Sequence, residues 1–508
     1  MSVTEIPRTQ NPFPRTGTTP LPGGGARYDD LPATLIEMLR QRVSETPDAE
    51  AVAEIGGGRV TYRELWDRAA RVSGGLRAAG VDRGDRVAIR YPAGLDWVLA
   101  FFGTLMAGGV AAAVNIRLAP PELAAVLDVT GAVADLAPGT PLPSGDPYVA
   151  DGLAADDVAA FFYTSGTTSG PKAVPTTHLA FLTNAENLKR SLRVTEDSDT
   201  PRTLISVPLF HVTGCNSQLL AALHAGGSAV IMPHLDVAGL ITAITAERVN
   251  WITSVPAIYS LLFRHRDFAA ADTSGVRWVG YGGAPIAPSL VAAVQGAFPA
   301  AQVKNGYGMT ETASLLTVLP HEDAVDHADS VGYAVPSVDL GVLPSGDDPR
   351  VGELVARGPN VTAGYWGRPE ETEAAFTDGW LRTGDVVRVD DAGRVHLIDR
   401  AKDIINRGGE NVSSVEVEAA LLAAPGVEDA AVIAVPDEVM GEKVGAVLVG
   451  GDGLDVDAVI AWCRDRLADY KVPQYATVTG EPLPRNAGGK LLKARLRQTV
   501  RWGPPLRR

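Results

Sequence analysis

The chain has 508 residues, 45% hydrophobic and 21% charged, a globular composition well past the length at which one core splits, so at least two domains are expected. A formal net charge of -15 excludes general attraction to nucleic acid or anionic lipid, so a polyanionic ligand must be held by a local site, and a small phosphorylated one fits. Two distant cysteines, Cys215 and Cys463, support neither a disulfide framework nor a zinc site and read as a cytoplasmic pattern.

In chain order, residues 1–30 are rich in Pro, Gly and Thr without an apolar run. They read as a flexible tail and not as a signal peptide or anchor. The stretch LIEMLRQRV from Leu35 predicts a helix, AVAEI, GGG and RVTY predict a hairpin, and YRELWDRAARVSGGLRAAG predicts an amphipathic helix. The run from Trp97 to Val114 lacks charges and raises the membrane question, but Gly103, Gly108 and Gly109 interrupt it. A buried helix followed by a core strand is the expectation, with no integral membrane segment. RVAIRY, VAAAVN, TLISVP, SAVIMP, WITSVP and WVGYGG predict short buried strands, alternating with helices such as PSLVAAVQGAF. That alternation predicts an α/β protein. After Arg400 a helix, two strands and a helix predict a small α+β unit. The boundary is placed within DRAKD, Asp399 to Asp403, giving domains 31–400 and 401–508. The final PPLRR is not a peroxisomal address.

Within this frame YTSGTTSGPK, Tyr163 to Lys172, sets five Ser/Thr residues and two glycines ahead of a lysine. Hydroxyl and backbone N–H donors around such a turn suit phosphate, although composition alone favours a plain surface loop. It is not a Walker A loop, because Pro171 precedes the lysine. Further along come GYGMTETAS from Gly306, GELVARGPNVTAGYW from Gly352, GWLRTGD from Gly379, DRAKDIINRGGENV from Asp399 and PRNAGGK from Pro484.

In that order and spacing the motifs resemble the adenylate-forming superfamily of acyl-CoA synthetases, adenylation domains and firefly luciferases, over nearly the whole chain from about Leu35. The resemblance implies a large N-terminal domain, a small mobile C-terminal lid and an active site between them. It also implies roles. Thr164, Ser165, Gly166, Thr167, Thr168 and Lys172 would hold the leaving phosphates, and Gly282, Gly283, Ala284 and Pro285 with Tyr307 would form the adenine slot. Thr310 would bond the α-phosphate and Glu311 would hold Mg²⁺. Asp385 and Arg400 would take the ribose. Lys490 would bridge the substrate carboxylate and α-phosphate, Lys402 would be the hinge, and Gly408 and Gly409 would line the channel for the coenzyme A thiol.

His211, in VPLFHVTG, matches a position beside the acyl carboxylate that gates thiol entry; a satisfied core histidine is the competing reading. The other histidines read as structural. Ser169 and Ala173 depart from the family's usual glycines, and PRNAGGK carries Asn486 and Gly488 where hydroxyl residues are common.

The implied reaction joins a small-molecule carboxylate, fatty or aryl, to coenzyme A at the expense of ATP, with Mg²⁺. The segment PLFHVTGCNSQLLAALHAGG carries no Asp or Glu for an α-ammonium group, which disfavours an amino acid. The alternatives are transfer to a separate carrier protein or an amine, including nitrite activation for diazotisation, and a non-catalytic binding protein on the same fold. Neither the acid's length nor the oligomeric state, a homodimer included, is fixed by the sequence.

Overall fold

Residues 2–164, 171–195, 197–284, 286–400, 402–407, 410–451, 453–485 and 491–506 are described by the computed structural model. The short apolar segments form strands as expected. Glu50–Glu54, Ser228–Ile231, Arg202–Ile205, Trp251–Ser254, Trp278–Gly282 and Gln302–Met309 lie side by side and parallel. Their Val, Ile and Ala side chains are buried on both faces, which is the requirement of a parallel sheet.

At Gln302–Met309 the sheet changes character. Its next neighbour, Ser314–Leu319, is antiparallel, and the sheet continues through antiparallel strands Ser330–Ala334, Val395–Arg400, Trp380–Val389, Val351–Arg357 and Asp339–Pro344. A second sheet orders Lys172–Thr177, Val158–Thr164, Val110–Ala113, Arg86–Ile89 and Ala134–Leu136.

The uncharged run from Trp97 resolves into the helix Leu95–Met106, buried along its length, and the strand Val110–Ala113. Its glycine has a steric reason. A Cβ on Gly103 would come within 2.5 Å of Val72 Cγ1 on the helix Tyr62–Ala78, so the glycine lets the two helices approach closely. No helix among the described residues is long and apolar enough to cross a membrane.

From Ile405 onward the chain builds its own sheet, from Ile405–Arg407, Glu410–Val412, Val427–Asp437, Gly441–Gly450 and Tyr475–Thr479. The helices Ser414–Leu422 and Val456–Arg464 pack on it around Val417, Leu421, Val432, Leu448 and Ile460. This is the α+β layout expected for the smaller unit.

The reading of residues 1–30 as a flexible tail is corrected. Thr4–Glu5 pairs with Asp339–Pro344, and Thr18–Pro20 forms a hairpin with Ala26–Tyr28. Phe13 and Tyr28 are 4% and 2% exposed. The Arg8 guanidinium donates to the carbonyls of Phe13, Ala334, Val335 and Val338 at 3.0–3.2 Å. Two aromatic anchors and an arginine fork that satisfies buried carbonyls fix a segment whose average composition looks disordered.

Phe13→Ala should therefore lower the stability of the N-terminal unit by about 3 kcal/mol, the usual cost of emptying a buried phenylalanine site. Urea unfolding followed by tryptophan fluorescence checks it, and an unchanged midpoint would restore the tail reading.

Candidate active site

The site is built at the carboxyl ends of the parallel strands, where open α/β sheets present their loops. Trp278–Gly282 and Gln302–Met309 run in register so that Gly282 faces Gly306. A Cβ on Gly282 would lie 2.2 Å from the Gly306 carbonyl oxygen; no side chain fits between the strand ends. Gly283 follows with φ of +74° and only Val255 near its missing Cβ, at 3.8 Å. These bare strand ends, with Tyr307 next to Gly306 and Ala284 next to Gly283, lie where the resemblance implies the adenine slot, with one aromatic ring beside them. Pro285 lies outside the described residues.

Tyr307 leads to the next group. Its hydroxyl donates to Asp385 Oδ2 at 2.6 Å, and Arg400 Nε lies 3.2 Å from Asp385 Oδ1. Asp385 and Arg400 are register partners on adjacent strands, so the sheet itself sets their meeting. Asp385 is buried. Each of its oxygens keeps a lone pair for an incoming hydroxyl after serving these partners. Burial, then the Asp385 carboxylate, holds the Tyr307 phenol well above the ordinary range and so protonated.

After Met309 the chain makes one 3-10 turn, Thr310–Thr312, then passes through Ala313 at φ +52° and Ser314 at φ +117°. Glu311 sits on this turn, buried, and its Oε1 accepts the Tyr365 hydroxyl at 2.9 Å. Burial pushes the carboxyl up, opposed by its own backbone, by Tyr365, and by the charges of Arg400 and Lys172. Lys172 Nζ lies 4.6 Å from the centroid of the Tyr365 ring, a cation–π contact. Lys172 also faces Thr164 across an antiparallel pair. Ser165, Gly166, Thr167, Thr168 and Ser169 between them lie outside the described residues. A buried carboxylate oxygen flanked by cations at the phosphate side is the donor type magnesium takes when nucleotide phosphates complete its shell, so Glu311 fits the ion.

The acyl side joins the same turn. His211 starts a helix that is π-wound over Cys215–Leu220, a winding frequent at functional sites. Asn216 Nδ2 donates to the Ala313 carbonyl at 2.9 Å, and the Ser217 and Ser314 hydroxyls meet at 2.7 Å. His211 Nε2 is buried without a hydrogen-bond partner among the described residues. Burial, then the Arg117 charge, lowers the His211 pKa to about 4, leaving a neutral ring. His178, His321 and His396 meet the Leu35 N–H, the Val303 N–H and Asp329, and His224 meets Glu186 through Nε2 while its buried Nδ1 has no partner among the described residues.

The described structure thus gathers Thr164, Lys172, His211, Gly282, Gly283, Ala284, Tyr307, Thr310, Glu311, Asp385 and Arg400 around one sheet end. Lys402 is exposed on the stretch between the two sheets, its carbonyl accepting from Arg497 at 3.3 Å. Gly408, Gly409 and Lys490 lie outside the described residues. Sequence reading assigned no role to Tyr365, although the quoted stretch GELVARGPNVTAGYW contains it. It also passed over Asn360 in the same stretch, Asn216 in PLFHVTGCNSQLLAALHAGG, and Asn184.

Comparison with known proteins shows the family. The AMP-binding enzyme family matches residues 39–151 and 136–366, and the AMP-binding enzyme C-terminal domain matches residues 416–490. Feruloyl-CoA synthase of Amycolatopsis sp is 39% identical over 484 residues, covering 90% of this chain and 97% of that protein. Long-chain-fatty-acid–CoA ligase FadD13 of Mycobacterium tuberculosis is 34% identical over 498 residues, covering 91% and 97%. The structure of o-succinylbenzoate CoA synthetase (MenE) from Bacillus subtilis with the acyl-adenylate intermediate OSB-AMP superposes with a TM-score of 0.84 and 28% identity, covering 92% of this chain and 98% of that one.

Tyr365→Phe keeps the ring under Lys172 but removes the donor to Glu311. The magnesium concentration for half-maximal ATP turnover should rise by about 10-fold, the low end for loss of a group that orients a metal ligand. A magnesium titration of the variant checks it; an unchanged midpoint would separate Tyr365 from the metal site.

Proposed function

The chain belongs to the AMP-binding enzyme family, and from that premise we propose that it is an acyl-CoA synthetase that adenylates an apolar aryl or fatty acid and passes the acyl group to coenzyme A. The observation that carries the reading is the convergence on one turn: Glu311 at its centre, the Tyr307–Asp385–Arg400 cluster on the nucleotide side, and the His211 helix tied to Ala313 and Ser314 on the acyl side.

In the first step a carboxylate oxygen attacks the α-phosphorus of ATP. The bond from that phosphorus to the bridging oxygen breaks, giving acyl-AMP and pyrophosphate. Asp385 and Tyr307 fix the nucleoside, so that the α-phosphate lies over Thr310, while Lys172 offers a cation at the phosphates. Glu311 would hold magnesium, which would supply positive charge where two anions must approach. Lys490 supplies charge between the carboxylate and α-phosphate as electrons move onto pyrophosphate. In the second step the thiol sulfur attacks the acyl carbon and the bond to AMP breaks, giving thioester, AMP and a proton.

His211, with a pKa of about 4, is too weak a base to remove a proton from a thiol whose ordinary pKa is about 8.5. Its neutral ring therefore serves as a wall and hydrogen-bonding group beside the acyl carbon. Neutrality also suits an uncharged acyl tail, since an imidazolium buried there would need a counter-charge. An aryl acid is placed first because the feruloyl enzyme is the more similar of two relatives matched over nearly the same length; a long-chain acid is the second reading.

Pyrophosphate release with MgATP across aryl acids, fatty acids of graded length, amino acids and nitrite, with and without coenzyme A, tests the proposal. An aryl or fatty acid that yields a mass-identified thioester supports it. Release without a thioester, or only with nitrite and an amine, moves the function to another acceptor. Lys490→Ala should abolish adenylation and spare thioester formation from supplied acyl-AMP, and Lys402→Pro should do the reverse by stiffening the hinge.

The pH profile of thioester formation separates His211 from a general base. Its ring is neutral well below neutral pH, so the rate should rise with pH as the thiol ionises near about 8.5, without a histidine inflection near about 6.5. An inflection there that disappears in His211→Ala would make the histidine a working base.

A further inference from the structure

Charged side chains are paired on either side of residues 486–490, which include Lys490 and lie outside the described residues. Arg485 and Leu491 face each other across an isolated antiparallel bridge, and the Leu492 N–H donates to the Pro484 carbonyl at 2.8 Å. Residues 486–490 connect the two sides of that bridge. On the entering side Arg485 pairs with Asp429 at 2.7 Å. On the leaving side Lys493, the first residue of the helix Lys493–Thr499, pairs with Glu418 at 2.7 Å and donates to Ser414 Oγ at 2.5 Å.

The two pairs differ in kind. The Arg485 and Asp429 side chains are 40% and 28% exposed, whereas Lys493 and Glu418 are 10% and 15% exposed. Water screens the first pair, and such pairs add little. Removing the second from water is costly for each ion before the pairing returns it, and an apolar pair of equal volume would be about as stable. What the buried pair adds is direction. Glu418 Oε1 is itself fixed by the Val432 N–H at 2.8 Å, and Ser414 donates to Asp399 Oδ2 from both its N–H and its hydroxyl. Asp399 is the neighbour of Arg400 and lies on the far side of Lys402. A continuous polar chain therefore runs from the nucleotide-binding strand, through Ser414, to a lysine three residues beyond Lys490.

We infer that Lys493 and Glu418 are positioning residues for adenylation: their buried pair fixes where the lysine-bearing segment leaves the smaller domain, and Ser414 ties that point to the strand ending in Arg400. The inference rests on the reading of Lys490 given above. In-line attack tolerates little misplacement, and a shift of about 1 Å in a positioned group costs on the order of 100-fold in rate. Thioester formation does not use Lys490 and has no such requirement.

The test compares half-reactions in the full chain. Removing one partner would strand a buried charge and threaten the fold, so the main variant is the double Lys493→Met, Glu418→Gln, with Lys493→Arg as the conservative control. The double variant should lose about 100-fold in kcat for acid-dependent ATP–pyrophosphate exchange, with KM for ATP within about twofold. It should keep wild-type thioester formation from supplied acyl-AMP and the wild-type melting temperature, and Lys493→Arg should restore most of the exchange.

Equal loss of both half-reactions with a lowered melting temperature would reduce the pair to structural support and overturn the inference. Wild-type exchange in the double variant, where Lys490→Ala has none, would overturn it while leaving the Lys490 reading in place. Exchange that survives Lys490→Ala would remove both.

Discussion

The site depends on one short piece of strained backbone. Ala313 and Ser314 are consecutive non-glycine residues at positive φ, +52° and +117°, conformations that cost of order 1–3 kcal/mol each and persist only where surroundings over-determine them. Three buried asparagines supply that determination. Asn216 donates to the Ala313 carbonyl, Asn360 to the Thr312 and Leu315 carbonyls, and Asn184 accepts the Leu315 N–H, all at 2.9–3.0 Å. The Thr312 hydroxyl closes the turn onto the Ser314 carbonyl. Bonds to otherwise unpaired buried carbonyls matter more than their mean value suggests, because leaving one unmade costs the whole desolvation of the group. The strain is thus offset by satisfying groups that a bent strand end would leave bare.

The turn is placed there because the sheet changes direction on either side of it. Gln302–Met309 is parallel to Trp278–Gly282 and antiparallel to Ser314–Leu319. A parallel neighbour requires a long crossover, but an antiparallel one is reached in a few residues. Between Met309 and Ser314 the chain must therefore reverse tightly at the carboxyl end of the parallel sheet, where ligands bind in open α/β folds. Glu311 is carried on that reversal, with Tyr307 just before it and Ser314, the partner of Ser217, just after. One topological event therefore sets the distance between the nucleotide and acyl sides.

Much of this was legible because it is written in local patterns. Periodicity found the helices Leu35–Glu45 and Tyr62–Ala78, apolar runs found the parallel strands, and the ordered motifs found Tyr307, Glu311, Asp385 and Arg400. What escaped reading is long-range and polar. Asn184, Asn216 and Asn360 act through backbone groups up to about 130 positions away, and no local spacing encodes such a pairing. Tyr365 was inside a quoted motif, yet its hydroxyl has meaning only once the strand Lys172–Thr177 and the turn at Glu311 are brought beside it. The N-terminal segment escaped for another reason: two aromatics, Phe13 and Tyr28, and the Arg8 fork hold it, and averages over thirty residues dilute them.

A second constraint runs against the rigidity of the turn. The rotation implied about Lys402 must move the smaller domain without disturbing Asp385 and Arg400, which lie on strands of the larger one. Among the described residues, polar contacts cross this point from Ser413 and Ser414 to Ile398 and Asp399. Hydrogen bonds of this sort are worth about 1–3 kcal/mol each in net terms, those to the Asp399 carboxylate the most, because water replaces them when they open. An apolar seam of equal size would lock one orientation by several kcal/mol, and no ligand could then shift the balance by more than its own difference in affinity for the two states. A polar, exchangeable hinge beside an over-determined turn is the division of labour that the proposed two half-reactions in one cleft would require: the first domain would keep the reacting groups in register while the second changed what it presents to them.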